Sequence, residues 1–146
     1  MFMPHFQVEE LVDRATHAWM GDEALGLFNP KALAALENLW VFFNRIKPCA
    51  ITVNTWLWGG RTEWRGYRTQ AKAIELGSPK SEHAAGNAFD CTISGFSAAH
   101  ARQLIVQHQA DPLLLNITRL EADVSWLHFD CKKLPPHQKR IYVFKA

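Results

Sequence analysis

Several features that define large classes of proteins are scarce in this sequence. Its 146 residues include only three cysteines, and none of them forms a Cys-x-x-Cys pair. An odd number of widely spaced cysteines argues against a disulfide framework and is typical of a chain made in a reducing compartment. No hydrophobic run approaches the roughly 18 residues of a membrane-spanning helix. The sequence therefore predicts no membrane span.

The chain also lacks a strong charge of either sign and a recognisable signal peptide. With 16 basic and 14 acidic residues, its formal net charge is +2. The basic residues are scattered, except in the segment CKKLPPHQKR, so we expect no nucleic-acid partner. Acidic residues interrupt the N-terminal segment MFMPHFQVEELVDRA, where a signal peptide needs an apolar core. These features predict synthesis in the cytoplasm, and nothing in the sequence indicates more than a monomer.

The hydrophobic residues, 48% of the chain, are sufficient for one core and predict a single domain over residues 1–146. Helical spacing of apolar residues predicts helices over VEELVDRATHAWM, NPKALAALENLWVFFNRIK, TQAKAIELGS and SAAHARQLIVQHQAD. Trp19 belongs to the apolar face of the first. In the second of these, Asn29 can cap the helix and Pro30 suits its first position, and Ser97 can cap the fourth.

The remaining segments have the composition of strands. Strands are predicted in CAITVNTWLWGG, AFDCTISG, LLLNITRLE, SWLHFDC and RIYVFKA. The third and fourth should form an antiparallel hairpin, and the last an edge strand. This order of elements predicts an α+β fold, in which N-terminal helices pack on a small antiparallel sheet.

Two of these strands carry polar side chains that should meet on one face of the sheet. Alternation in SWLHFDC separates Leu127 and Phe129 from His128, and alternation in NAFDC separates Phe89 from Asp90. Neighbouring strands would then present Asp90 and His128 side by side. The loop before Asp90 contains a further histidine, at position 83, and a glycine that allows a tight turn back to the same point.

Two imidazoles and one carboxylate form a suitable zinc-binding set. With three protein ligands, a fourth tetrahedral position stays open for water, which is the arrangement of catalytic zinc sites. The same residues also fit an interpretation without metal: His83 in a surface loop, His128 hydrogen-bonded within the sheet, and Asp90 as a turn acid. Their spacing alone leaves both interpretations open.

Two segments resemble the signatures of a known enzyme family. SEHAAGNAFD resembles the S-x-H-x-x-G-x-A-x-D signature of the zinc D-alanyl-D-alanine peptidases, and SWLHFD resembles their second signature, W-x-H. The segment from ITVNTW to RGYRT is similar to the one that precedes the first signature. The family includes carboxypeptidases, dipeptidases and phage L-alanyl-D-glutamate endolysins, and its fold is shared with the hedgehog signalling domain. The resemblance covers about residues 5 to 132.

The resemblance implies a set of site residues. His83, Asp90 and His128 would be the ligands of Zn²⁺, which would be the cofactor. Arg68, in the GYR segment, would bind a substrate carboxylate or polarise the scissile carbonyl, since a guanidinium fork suits that task. Ser81 would lie beside the metal and brace the loop by hydrogen bonding.

The general base is where the sequence departs from the family pattern. Many members have a glutamate three residues before the last histidine, and this chain has Ser125 there. Glu121 and Asp123 are the alternatives, and Glu121 is preferred for its longer reach and its place after a strand. Trp126 stands where some members have a second histidine, and its side chain would form part of the pocket wall rather than transfer protons. Asp130 would either hold the free nitrogen of a ligand imidazole or be a strand-end acid.

The function implied by the resemblance is that of a zinc metallopeptidase acting on the stem peptides of bacterial peptidoglycan. Such an enzyme would be a D-Ala–D-Ala carboxypeptidase or an L-Ala–D-Glu endopeptidase. The chain lacks a signal and wall-binding repeats, which favours a phage or prophage endolysin that is made in the host cytoplasm and degrades the cell wall. The alternative is an inactive, zinc-containing peptidoglycan-binding or phage structural module of the same fold, because the usual base position is Ser125.

Overall fold

The longest helix, α2 (Pro30–Ile46), lies at the centre of the hydrophobic core. The computed structural model describes residues 3–146, so the first two residues of the predicted domain lie outside the described residues. The Asn29 side chain accepts a hydrogen bond from the Lys31 backbone N–H, and Pro30 occupies the first turn. Both features of this helix were predicted from the sequence and are confirmed.

Three shorter helices accompany α2: α1 (Arg14–Met20), α3 (Gln70–Glu75) and α4 (Ala98–Gln107). Short 3₁₀ helices occupy Val8–Glu10, Gly21–Leu27, Trp56–Trp58 and Pro112–Leu114. The predicted cap of α4 is confirmed, because the Ser97 side chain accepts from the His100 backbone N–H. Within the described residues, no helix is long and apolar enough to cross a lipid bilayer.

The predicted N-terminal helix is wrong in its extent. The segment divides into the 3₁₀ turn Val8–Glu10 and helix α1, because the buried Asp13 carboxylate caps a new helix by accepting from the Thr16 backbone N–H at 3.0 Å. Trp19, expected on the apolar face, is 83% exposed. Because α1 begins at this cap, its residues do not continue the helical spacing of Val8–Glu10, and the Trp19 indole lies outside the core.

Five strands form one sheet in the order β1-β2-β4-β3-β5. They are β1 (Ile51–Thr52), β2 (Ala88–Ile93), β3 (Arg119–Glu121), β4 (Leu127–Asp130) and β5 (Tyr142–Phe144). The predicted hairpin is confirmed as the antiparallel pair β3–β4. The α+β, single-domain prediction is confirmed, but the sheet is mixed rather than antiparallel, because β5 returns to the edge and pairs parallel to β3.

Two predicted strands are shorter than expected. The Leu113–Leu114 part of LLLNITRLE belongs to a 3₁₀ turn, since the Asp111 carboxylate caps Leu113 and Pro112 starts the turn. In CAITVNTWLWGG only Ile51–Thr52 pairs with the sheet. The site-bearing strands β2 and β4 lie in the middle of the sheet, and their predicted positions are confirmed.

The two faces of the central strands differ in chemistry. Phe89 and Phe129 are cross-strand partners, and both are fully buried in the core. Phe89 stacks on Phe28, with ring centroids 5.1 Å apart. Because side chains alternate along a strand, Asp90 and His128 project from the opposite face. The core contacts of the aromatic side chains thus fix the direction in which these polar side chains point.

Candidate metal centre

Strands β2 and β4 place Asp90 and His128 directly opposite one another, as antiparallel partners. His128 Nδ1 donates a hydrogen bond to Asp90 Oδ1 over 2.9 Å. Both side chains are buried, with 8% exposure for Asp90 and 7% for His128. The prediction that two strands bring these residues side by side is confirmed.

The loop before β2 returns His83 to the same point. His83 Nε2 lies 3.2 Å from Asp90 Oδ2. The other ring nitrogen, Nδ1, donates to the Gly66 carbonyl at 2.8 Å, and the Ser81 hydroxyl accepts from the His83 backbone N–H. Ser81 therefore braces the loop, and the Gly66 contact fixes the orientation of the imidazole ring.

Gly86 makes this loop geometry possible. Its φ of 74° is in the left-handed region, where a side chain adds strain. A Cβ atom here would lie 2.2 Å from the Leu27 carbonyl oxygen. The Gly86 carbonyl also accepts from the Asn29 backbone N–H at the start of α2. This hydrogen bond anchors the loop that carries His83 to the start of the longest helix.

The three side chains form a group that could hold a metal ion. One atom from each of His83, Asp90 and His128 lies within 4.8 Å of the other two, and all three residues are buried. His128 Nδ1 lies 2.9 Å from Asp90 Oδ1, and His83 Nε2 lies 3.2 Å from Asp90 Oδ2, so each imidazole contacts a different carboxylate oxygen. Two imidazoles and one carboxylate, brought this close together, are a donor set of the kind that binds a transition-metal ion.

The second nitrogen of each imidazole has a fixed acceptor. For His83 it is the Gly66 carbonyl, and for His128 it is Asp130 Oδ2, which lies 3.0 Å from Nε2. When His83 Nδ1 and His128 Nε2 hold their protons in these contacts, the other two nitrogens, His83 Nε2 and His128 Nδ1, are free to bind a metal. The structure thus places Asp130 against His128, as the first of its two predicted roles requires.

Arg119 is a site residue that the sequence reasoning missed. It lies opposite Asp130 in the β3–β4 pair, and its Nε and Nη2 donate to both carboxylate oxygens of Asp130, over 2.8–3.1 Å. The alternation of side chains along TRLE could have indicated Arg119, because it puts Arg119 and Glu121 on one face of the strand and Leu120 in the core.

Burial and hydrogen bonding shift the protonation of this cluster in the metal-free protein. Burial by itself raises the pKa of Asp90, but hydrogen bonds from His128 and His83 outweigh it and hold that pKa well below the ordinary value. Burial by itself lowers the pKa of His128, but hydrogen bonds to Asp130 and Asp90 raise it to about 9. The metal-free site is therefore a buried ion pair in which His128 carries a positive charge.

Glu121 and Asp123, the two candidate bases, occupy different environments. The Glu121 side chain is 14% exposed, and its Oε2 lies 3.8 Å from His128 Nδ1. Asp123 lies in the following turn with a φ of 61°, is 71% exposed and pairs with Lys145 at 3.1 Å. The structure brings Glu121 to the cluster and leaves Asp123 on the surface.

A cleft of about 540 Å³ opens over the cluster. Its lining includes the predicted site residues Arg68, Ser81, Glu121 and Trp126. The Nη2 atom of Arg68 lies 3.3 Å from Asp90 Oδ2, and its Nε donates to the Trp64 carbonyl at 2.8 Å. Burial lowers the pKa of Arg68, against the opposing effect of Asp90 and Glu121.

Trp126 also borders a neighbouring cavity of about 340 Å³, which is mainly lined by apolar residues from β2 and α4. Ser125 lines this cavity rather than the cleft. Ser125 therefore borders a different space from the three clustered side chains, and Trp126 borders both spaces.

A second group of potential ligands, Glu9, His17 and Asp22, lies near the N-terminus. Its Asp22 is exposed, and the other two residues are half-buried, with His17 Nε2 2.8 Å from Glu9 Oε1. The cluster on the sheet differs from it, because all three of its residues are buried and line one cleft.

Two short segments of the chain, SEHAAGNAFD and SWLHFD, supply the three side chains of the buried cluster. His83 and Asp90 come from the first segment and His128 from the second. Comparisons of the chain with protein-family models, with curated proteins and with solved structures give no match.

Proposed function

We propose that this protein is a zinc metallopeptidase that hydrolyses peptide bonds in the stem peptides of bacterial peptidoglycan. The observation that carries the proposal is the buried convergence of His83, Asp90 and His128 at the floor of an open cleft. The substrate class comes from the resemblance of the two segments that contain these residues to the zinc D-alanyl-D-alanine peptidases.

The choice of zinc follows from the donor set. Two imidazole nitrogens and one carboxylate oxygen suit zinc, and three protein ligands are typical of catalytic rather than structural sites. The chemistry that zinc supplies in such a site is polarisation of the scissile carbonyl and a water pKa near 7. Arg119 and Gly66 support the site from outside, through Asp130 and His83 respectively.

Glu121 is the general base of the proposed reaction. Its carboxylate lies in the cleft, 3.8 Å from His128 Nδ1, and can reach a water molecule held over the cluster. Glu121 would accept the proton of the attacking water and return it to the leaving amine. Asp123 is unsuited to this role, because its side chain is solvated and paired with Lys145.

Arg68 stabilises negative charge in the proposed reaction. The ion pair with Asp90 and the hydrogen bond to the Trp64 carbonyl fix the guanidinium at the edge of the cleft. A positioned guanidinium can donate to a developing oxyanion or to a substrate carboxylate. Its partial burial strengthens such an interaction, since water competes less there.

The proposed activity has two forms, which differ in the peptide bond that is cleaved. Cleavage of D-Ala–D-Ala would make the protein a carboxypeptidase, and cleavage of L-Ala–D-Glu would make it an endopeptidase of the endolysin type. In the second form the protein is a phage or prophage lysis enzyme, made in the host cytoplasm and acting on the cell wall. The mass of the released peptide distinguishes the two forms.

Zinc content of purified variants, measured together with stem-peptide hydrolysis, tests the proposal. The unsubstituted protein should hold about one zinc ion per chain, as expected for a three-ligand site. His83→Gln, Asp90→Asn and His128→Gln should lose both zinc and hydrolysis. His100→Gln, at an exposed position on α4, is the matched control and should keep both. Equal zinc content in all these variants would contradict the proposed site.

A further inference from the structure

We infer that Arg119 is a positioning residue for the metal centre, and that it acts through Asp130 on the ligand nitrogen of His128. The inference rests on the proposed function, because it assumes that His128 binds the metal. Arg119 belongs to neither of the two segments that resemble the family signatures. It lies on β3, which is between these segments in the sequence.

The contact between Arg119 and Asp130 has the geometry of a fixed ion pair. Arg119 Nε lies 2.9 Å from Oδ1 and 3.1 Å from Oδ2, and Nη2 lies 2.8 Å from Oδ2. Asp130 is fully buried, and the Arg119 side chain is 16% exposed. A guanidinium fork on a buried carboxylate sets the position and the plane of that carboxylate.

The position of Asp130 in turn sets the orientation of His128. Asp130 Oδ2, the oxygen nearest to the guanidinium, is also the acceptor for His128 Nε2 at 3.0 Å. With the Nε2 proton held there, the His128 ring presents Nδ1 to Asp90 and to the cleft. An outer carboxylate that orients a ligand imidazole strengthens metal binding. Arg119 thus governs the ligand nitrogen without touching it.

The C-terminal strand completes this arrangement. The Arg119 guanidinium carbon lies 4.2 Å from the ring centroid of Phe144, in a cation–π contact. The same ring meets the His128 imidazole edge to face, with centroids 5.7 Å apart. Strand β5 pairs parallel to β3, next to Arg119, and lies beyond the segment that resembles the peptidase family. Phe144 therefore limits the motion of both Arg119 and His128.

A double-mutant cycle with zinc affinity as the readout tests the inference. We would titrate zinc into the full chain and its variants against a competing chelator dye. Arg119→Met should weaken zinc binding by about 10- to 100-fold, the range for loss of a residue that supports a ligand. Asp130→Asn should weaken it similarly. The double variant should be no weaker than Asp130→Asn, because both changes remove the same constraint.

Two further variants separate positioning from folding. Arg119→Lys keeps the positive charge beside buried Asp130 but loses the fork, so it should fold and show a smaller affinity loss than Arg119→Met. Arg65→Met removes another guanidinium that bonds to the sheet, at Thr92 Oγ1, and should bind zinc as the unsubstituted protein does. Circular dichroism and thermal unfolding of each metal-free variant identify any that do not fold.

Three results would overturn the inference. Unchanged zinc affinity in folded Arg119→Met, or in Arg119→Lys if the methionine variant does not fold, would remove any role for Arg119 at the metal. Multiplied losses in the double variant would show that Arg119 acts independently of Asp130. Absence of zinc binding by the unsubstituted protein would reject the proposed function itself and, with it, this inference. The first two results leave the proposed function intact.

Discussion

Asp90 Oδ1 and His128 Nδ1 lie 2.9 Å apart because the two residues are direct partners in the antiparallel pair of β2 and β4. A shift of one residue in this register would send one of the two side chains into the core. The buried partners Phe89 and Phe129, one position along each strand, prevent such a shift. Core packing on one face of the sheet therefore determines which polar side chains lie together on the other face.

This ion pair predicts how the stability of the metal-free protein depends on pH. The pKa of His128 is about 9 in the folded chain and about 6.5 for an unperturbed imidazole, as in the unfolded chain. Its protonated form therefore stabilises the folded state fully below about pH 6.5, and this contribution disappears as the pH rises through 9. We expect a loss of about 3 kcal/mol over this range, by urea unfolding.

The matched control for this experiment is His128→Gln, which has no proton to lose at this position and should show a nearly flat profile from pH 6.5 to 9. In the same interval the zinc affinity of the unsubstituted protein should rise, because a metal and a proton compete for His128 Nδ1. Stability of the metal-free protein that increased with pH over this range would contradict the described ion pair.

Glu121→Gln should abolish most of the proposed activity. Loss of a general base lowers kcat by about 10²- to 10⁴-fold, and zinc content should stay unchanged because Glu121 is not a proposed ligand. Asp123→Asn should keep kcat within about twofold, since surface changes of this kind are nearly neutral. Steady-state kinetics on a synthetic stem peptide measure both. A large loss in Asp123→Asn with normal Glu121→Gln would reverse the two roles.

Arg68→Lys should fold and retain zinc but lose activity. Removing a donor to a developing oxyanion costs about 10²- to 10³-fold in kcat, and a lysine cannot reproduce the guanidinium fork. Arg61→Lys, at an exposed position in the same loop, is the control and should behave as the unsubstituted protein. If Arg68→Lys raised KM and left kcat unchanged, Arg68 would bind the substrate carboxylate instead.

Gly86→Ala should destabilise the protein and weaken zinc binding together. The left-handed φ of 74° strains any side chain, and the new Cβ would collide with the Leu27 carbonyl. Gly77→Ala is a matched control, since Gly77 has a φ of 78° and open space around a Cβ. Gly77→Ala should cost about 1 kcal/mol of stability, from the backbone strain alone, and leave zinc affinity unchanged. Equal effects in the two variants would mean that the collision is unimportant.

The parts of the structure that local signals encode were predictable from the sequence. Alternation along β2 and β4 was sufficient to put Asp90 and His128 on one face, because a strand with one buried face has a strict period of two. The caps of α2 and α4 were likewise visible, at Asn29 and Ser97, because capping depends on a side chain and the next few backbone amides.

Features that depend on long-range contacts were not predictable in the same way. Trp19 fits the helical pattern of its segment, yet the Asp13 cap restarts the helix and exposes the indole. The parallel pairing of β5 depends on how residues 131–141 return to the sheet, which no local pattern encodes. The choice between Glu121 and Asp123 also needed the fold, since the turn that follows β3 decides which carboxylate faces the cleft.

The proposed peptidase function is tested by digestion of purified peptidoglycan with the zinc-loaded protein, with and without a chelator, followed by mass spectrometry of the products. A zinc peptidase should release new stem-peptide termini that appear with zinc, vanish with chelator and are absent from the Glu121→Gln variant. Intact peptidoglycan of several chemical types, with about one zinc ion per chain confirmed in the same sample, would contradict the peptidase function. That result would instead support an inactive wall-binding module with a zinc site.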